Sequence, residues 1–131
     1  MSEQSVDGLN RISRAVVGSA LEVHSALGPG LLEAAYEACL ARELHLRGVQ
    51  VATQVGLPVT YRGVRIDLGY RLDLVVDGAL VVEVKAVAKL LPIHHAQLLS
   101  YLRLSGLRLG LLINFHVPHL RDGIKRMAND L

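Results

Sequence analysis

The stretch LDLVVDGALVVEVKAV, residues 72–87, constrains the fold more than any other part of the chain. Two apolar runs flank Asp77-Gly78, a pair that accepts the backbone of a tight turn, so the segment reads as a β-hairpin. Asp73, Glu83 and Lys85 interrupt runs that would otherwise be Val and Leu. Strand side chains alternate faces, so Glu83 and Lys85 share one face. Asp73 joins them only if it stands opposite Glu83, which requires a connection with an odd number of residues, such as Asp77-Gly78-Ala79. A two-residue turn would set Asp73 opposite Val82 and send Glu83 to the other side. In the required register the two carboxylates lie roughly 5 Å apart and repel by about 3 kcal/mol at an effective dielectric near 20. Such a pair persists by sharing a proton or a cation. Mg²⁺ or Mn²⁺, which prefer oxygen ligands, suit two carboxylates. Lys85 beside them could orient a water or neutralise charge on a phosphorus centre, the equipment of metal-assisted phosphodiester hydrolysis. The plainer alternative is that Asp73 pairs with Arg71 or a nearby lysine on an exposed strand face.

The remainder predicts what surrounds the hairpin. Ile12, Val16, Ala20, Val23 and Leu27 fall at helical spacing over residues 9–27, and Gly28-Pro29-Gly30 ends that helix. A second helix is predicted over 31–47, closed by Gly48. Strands are predicted in the run ending at Gly63, with Pro58 marking an edge or a break, then over 66–76 and 80–87. Pro92 precedes a helix over 93–104, and RLGLLINF reads as a strand buried on both faces. Pro118 opens a short final helix with Arg121, Lys125 and Arg126 on its polar side. The order α-α-β-β-β-α-β-α predicts an α/β fold, a mixed sheet flanked by helices, with a crossover helix leading to a parallel strand.

At 131 residues the chain is the length of one domain, 1–131. Hydrophobic residues at 51% and charged residues at 20% argue against disorder. The net charge of +2 is weakly basic and decides little about partners. No apolar run approaches the roughly 18 residues that span a bilayer, and the opening MSEQSVDGLN is polar, unlike a signal peptide. One cysteine, Cys39, forms no internal disulfide and reads as a buried helical thiol. These features predict a cytoplasmic protein without membrane contact. Mean hydropathy is +0.36, high for a soluble monomer, which fits a homodimer interface and equally an aliphatic core.

Asp73, followed by a hairpin and then Glu83-Val84-Lys85, resembles the PD-(D/E)xK motif of the restriction-endonuclease-like nucleases, with Leu72 where that motif has Pro. Gly30-x-x-Glu33-x-x-Tyr36, with EVHSALGPG before it and KLLPIHHAQLLSYLRLSGLRLGLLINF after it, resembles the GxxExxY protein family, a bacterial and archaeal group placed in the same nuclease superfamily. The resemblance covers almost the whole chain and implies a restriction-endonuclease-like core. It implies that Asp73 and Glu83 bind Mg²⁺ or Mn²⁺ with the Val84 carbonyl, that Lys85 positions the attacking water, and that Glu33 adds a ligand. Glu33 and Tyr36, three apart, are neighbours on one helical face. Gln97 and Tyr101 resemble the QxxxY element of the RecB-like branch, which implies a place beside substrate; Tyr36 is assigned with them.

Two function classes follow. One is a metal-dependent nuclease acting on DNA or RNA. The other is a non-catalytic nucleic-acid-binding or dimeric scaffold that keeps the acidic pocket. Lys89, Arg103, Arg108, Arg121, Lys125 and Arg126 are candidates for phosphate contacts. Adjacent His94 and His95 point about 100° apart on a helix and do not make a zinc site.

Overall fold

The computed structural model describes residues 5–131, so residues 1–4 of the polar opening segment lie outside the described residues. Helix α1, Val6–Leu27, starts where the Ser5 hydroxyl accepts a hydrogen bond from the Gly8 N–H at 3.0 Å. Its buried stripe is Leu9, Ile12, Val16, Ala20 and Val23, the spacing that points one helical face inward. Gly28 ends it with φ of 68°, its N–H bonded to the His24 carbonyl. Helix α2, Glu33–Leu46, turns Tyr36, Leu40 and Leu44 inward. Cys39 falls off that stripe and is exposed, which corrects the expectation of a buried thiol.

Tyr36 fixes the α1–α2 connection. Its hydroxyl donates to the Gly28 carbonyl at 2.6 Å and accepts from the Leu31 N–H at 3.0 Å. Its ring stacks on Phe115, with centroids 4.6 Å apart and planes 7° from parallel. Where α2 begins, and therefore where its first acidic residues stand, depends on this clamp.

The strands are β1 (Val51–Gly56), β2 (Val59–Tyr61), β3 (Val64–Ile66), β4 (Arg71–Val76), β5 (Leu80–Lys85), β6 (Leu109–Asn114) and β7 (Ile124–Ala128). Helix α3, Pro92–Ser105, crosses from β5 to β6. Five strands form a mixed sheet in the order β1-β4-β5-β6-β7, parallel between β5 and β6 and antiparallel elsewhere. The fold is α/β, as expected. Residues of α1, α2 and one sheet face form the larger core cluster; Leu98 and Leu102 of α3 pack with Val81 and Leu112 in a second. Every residue of β6 is buried, in keeping with its unbroken apolar sequence. Among the described residues no helix is long and apolar enough to cross a membrane.

Two expectations are corrected. Pro58 marks a break, as expected, but the strand predicted over 66–76 is split: β2 and β3 form a separate two-stranded hairpin around Arg62-Gly63, both at positive φ, and β4 starts only at Arg71. The helix expected after Pro118 is a 3-10 turn, Leu120–Gly123, followed by strand β7. The free edge of β6 offers a ladder of backbone partners that outweighs the weak local helix signal. Lys125 and Arg126 consequently alternate across an edge strand, and Arg126 donates to the Asn10 side chain at 2.9 Å.

Gly123 makes that turn feasible, because a Cβ there would overlap the Asn114 carbonyl oxygen and crowd Val117. Gly123→Ala is expected to destabilise the chain by about 1–3 kcal/mol, measured as a lower midpoint in chemical denaturation. An unchanged midpoint would show that the turn relaxes without loss.

Candidate active site

The connection between β4 and β5 has three residues. Asp77 and Gly78 take φ of 53° and 63°, and the Ala79 N–H closes on the Val76 carbonyl at 3.0 Å. Val76 then pairs with Leu80, Val75 with Val81, and Leu74 with Val82. The ladder ends there; one step further the same register would set Asp73 opposite Glu83, the pairing that the carboxylate reading requires.

At that step side chains replace the ladder. The Asp73 N–H donates to Glu83 Oε1 at 3.2 Å, and the Val84 N–H donates to Asp73 Oδ2 at 2.9 Å. On the other side of β4, pairing with β1 skips Gln54, which has φ of 51°. The strand's alternation breaks here as well. Leu72 packs in the α3-side cluster, whereas Leu74 and Val76 pack with α1 and α2. Residues two apart on a regular strand would share a face, so Asp73 sits at the point where β4 changes faces.

Glu83 is only 6% exposed. Burial, and then the neighbouring charge of Asp73, pushes its carboxyl up to about 8, against the Asp73 N–H bond and the Lys85 ammonium, which favour ionisation. Lys85, half-buried, ends β5 beside Asn114 of β6. Asn114 holds the exits of both parallel strands. Its Oδ1 accepts from the Val87 and His116 N–H groups at 3.1 and 3.2 Å, and its Nδ2 donates to the Val87 carbonyl at 2.9 Å. The sequence flagged no role for this residue, although a lone Asn closing an apolar run was the signal.

Helix α2 brings two acids to the same place. Glu33 is exposed and accepts from the Ala86 N–H at 3.3 Å, just past the end of β5. Glu37, one turn later, was missed; its spacing of four from Glu33 in GLLEAAYE was the available signal. The Gln54 amide donates to both Glu37 oxygens, at 2.9 and 3.0 Å. Burial raises the Glu37 carboxyl, the Gln54 bond opposes it, and Asp73 and Glu33 add to the rise. From α3, Tyr101 is half-buried, and burial followed by the charge of Glu83 holds its phenol proton. Tyr70 lies against it, ring centroids 6.2 Å apart. Gln97 is exposed one turn before Tyr101.

Tyr36 is not among these groups. It is wholly buried against Phe115 with its hydroxyl committed to the Gly28–Leu31 loop, so its expected place beside substrate is corrected to a core position. His94 caps the start of α3, its Nδ1 accepting from the Leu91 N–H at 3.0 Å. Asp67 accepts from the Gly69 N–H at 3.2 Å and stays within its own turn.

Among the described residues no three His, Cys, Asp or Glu side chains converge as a ready metal cage. The donor chemistry nonetheless fits a hard divalent cation. Asp73 and Glu83 each commit an oxygen to a backbone N–H, and the charge of Asp73 helps burial keep the Glu83 carboxyl protonated, a conflict that a cation would relieve. A family model of the PD-(D/E)XK nuclease superfamily matches residues 10–127. No curated protein and no solved structure matches the chain.

The Glu83 carboxyl carries a pH dependence. Its ordinary value is 4.5 and its folded value about 8, so between the two the folded chain binds more protons than the unfolded one. This contribution to stability is whole below pH 4.5 and is lost as pH rises through 8. In chelator-treated buffer the melting temperature is expected to fall between about pH 5 and pH 9, by roughly 3 °C for each kcal/mol lost. Glu83→Gln should flatten the profile, and an equal slope in that variant would refute the assignment.

Proposed function

Because the chain belongs to the PD-(D/E)XK nuclease superfamily, we propose that the cleft around Asp73, Glu83 and Lys85 hydrolyses phosphodiester bonds of nucleic acid with the help of Mg²⁺ or Mn²⁺. The observation that carries this reading is the placement of Asp73 and Glu83 across one break in the ladder, with Glu37 and Glu33 behind them and Lys85 two positions along. Four acidic side chains beside one lysine offer a phosphate no attraction. A cation held by Asp73, Glu83 and the Val84 carbonyl, with Glu33 or Glu37 as a further acidic partner, reverses the sign of the site. When bound, the cation would polarise the phosphate and acidify a water.

The chain's own groups do the rest. Lys85, at the rigid end of β5, orients the attacking water and opposes the charge that grows on the phosphate oxygens. Asn114 keeps the strand ends, and so Lys85, in place. Tyr101 and the exposed Gln97 face the substrate side of α3. Glu37, anchored by Gln54, keeps Asp73 in its register-breaking conformation.

The signature Gly30-x-x-Glu33-x-x-Tyr36 supports membership in the GxxExxY group within the superfamily. Each position has a physical role here. Gly30 takes φ of 104°, Glu33 reaches the end of β5, and Tyr36 locks the loop between α1 and α2.

Hydrolysis of single- and double-stranded DNA and RNA, with Mg²⁺ or Mn²⁺ and with chelator, tests the proposal. Lys85→Ala and Glu83→Ala are each expected to lower the rate by at least about 100-fold. Cleavage at the parent rate in both variants would remove the assignment.

A further inference from the structure

Aromatic side chains are scarce in this chain: four tyrosines, one phenylalanine and no tryptophan. Tyr36 and Phe115 are spent on each other in the core. Of the remaining three, Tyr70 and Tyr101 meet ring to ring beside the acidic pair, and Tyr61 stands on the β2–β3 hairpin. Tyr101 is the inner member, close enough to Glu83 and Asp73 to feel their charge. Tyr70 is the outer member, 44% exposed.

Tyr70 is not loose. Its carbonyl accepts from the Leu57 N–H at 2.8 Å, and the Asp67–Gly69 turn fixes the chain just before it. It precedes β4 directly, three residues from Asp73. On a backbone that is tied down, an aromatic ring thus leans on a second ring at 43°, with almost half its surface in water. Folding alone gains little from such an arrangement, whereas a planar ligand would gain a pre-formed platform.

The surroundings name the ligand. The hairpin that leads to Tyr70 exposes Arg62 and Arg65, with the Arg62 guanidinium 5.7 Å from the Tyr61 ring centre, and Arg71 follows Tyr70 directly. Aromatic faces interleaved with guanidinium groups match a strand of alternating bases and phosphates.

We infer that Tyr70 is a stacking platform for a nucleobase next to the scissile phosphate, and that the substrate is single-stranded nucleic acid. The inference rests on the nuclease reading and specifies its substrate class. In a duplex both faces of a base are covered by its neighbours. Only a base released from its stack can lie on Tyr70 while the adjoining phosphate enters the cleft.

The test uses the full chain carrying Lys85→Ala, so that binding is read without cleavage. Probes are fluorescein-labelled oligodeoxythymidylate, an abasic strand of equal length, and a duplex. Adding Tyr70→Ala is expected to weaken oligodeoxythymidylate binding about 5- to 150-fold and leave binding of the abasic strand unchanged. Tyr70→Trp should retain affinity. Tyr70→Leu, which keeps an apolar contact to Tyr101 without a stacking face, should bind as weakly as Tyr70→Ala. Loss of equal size on the abasic strand, unchanged binding of oligodeoxythymidylate, tighter binding of the duplex, or a Tyr70→Ala effect traced by sedimentation to a changed oligomeric state would each overturn the inference. Failure of the parent chain to cleave any nucleic acid would instead overturn the nuclease reading, and the base-dependent effect of Tyr70→Ala would still be read separately.

Discussion

Asp73 and Glu83 hold each other in place through the backbone. Each carboxylate takes a backbone N–H that a regular ladder would give to a carbonyl: Glu83 from Asp73, and Asp73 from Val84. A buried N–H without a partner is costly, so a strand can break register at this point only if something else accepts those protons. The acidic side chains do so, and the break in turn brings them together. The same two interactions therefore satisfy the sheet and assemble the site. Neither carboxylate can be moved without disturbing both.

Two clamps outside the cleft keep this break from relaxing. On the helical side, Tyr36 bonds the loop between α1 and α2 and stacks on Phe115, which sets the start of α2 and the positions of Glu33 and Glu37. On the sheet side, Asn114 ties the exits of β5 and β6 together through three hydrogen bonds. Phe115, the residue after Asn114, belongs to both arrangements, since its N–H also donates to the Lys85 carbonyl at 2.9 Å. Lys85, Glu33 and Glu37 are thereby referenced to one rigid body, which is what a reactive geometry demands.

Parts of this were legible in the sequence because they follow from period and parity. The even spacing of Glu83 and Lys85, with the turn at Asp77-Gly78, limited the hairpin to two registers, and only one placed both carboxylates together. The inward stripes of α1 and the apolar run of β6 were equally readable. Glu37 was not, because a Glu four residues from another Glu also describes a solvated helix face, and only the packing of α2 on the sheet decides between them. Gln54 was hidden because its positive φ is imposed by the break opposite. β7 was misread as a helix because Pro118 and a polar run are helix-start features locally, while the unpaired edge of β6 is a tertiary fact. Tyr36 was recognised as part of a signature, but a motif gives position and not direction, and its side chain turns into the core.

The distribution of charge gives the cleft its logic. The chain as a whole is only weakly basic, at +2, yet Asp73 lies close enough to both Glu83 and Glu37 to raise their carboxyls, and Glu33 adds to the rise at Glu37. The surface away from these acids is correspondingly more basic than the total suggests, with Arg62, Arg65 and Arg71 exposed. Under the proposed function, a polyanion would be drawn to the exposed arginines and not to the centre unless a cation sits there. If the proposed function holds, binding of a strand and admission of its phosphate would be separate events, the first governed by the exposed arginines and tyrosine and the second by occupancy of the Asp73–Glu83 pair. On the proposed reading, an acidic centre beside exposed arginines would hold a nucleic acid without reacting with it until a cation is in place, so cation binding, and not strand affinity, would set when a bond is cut.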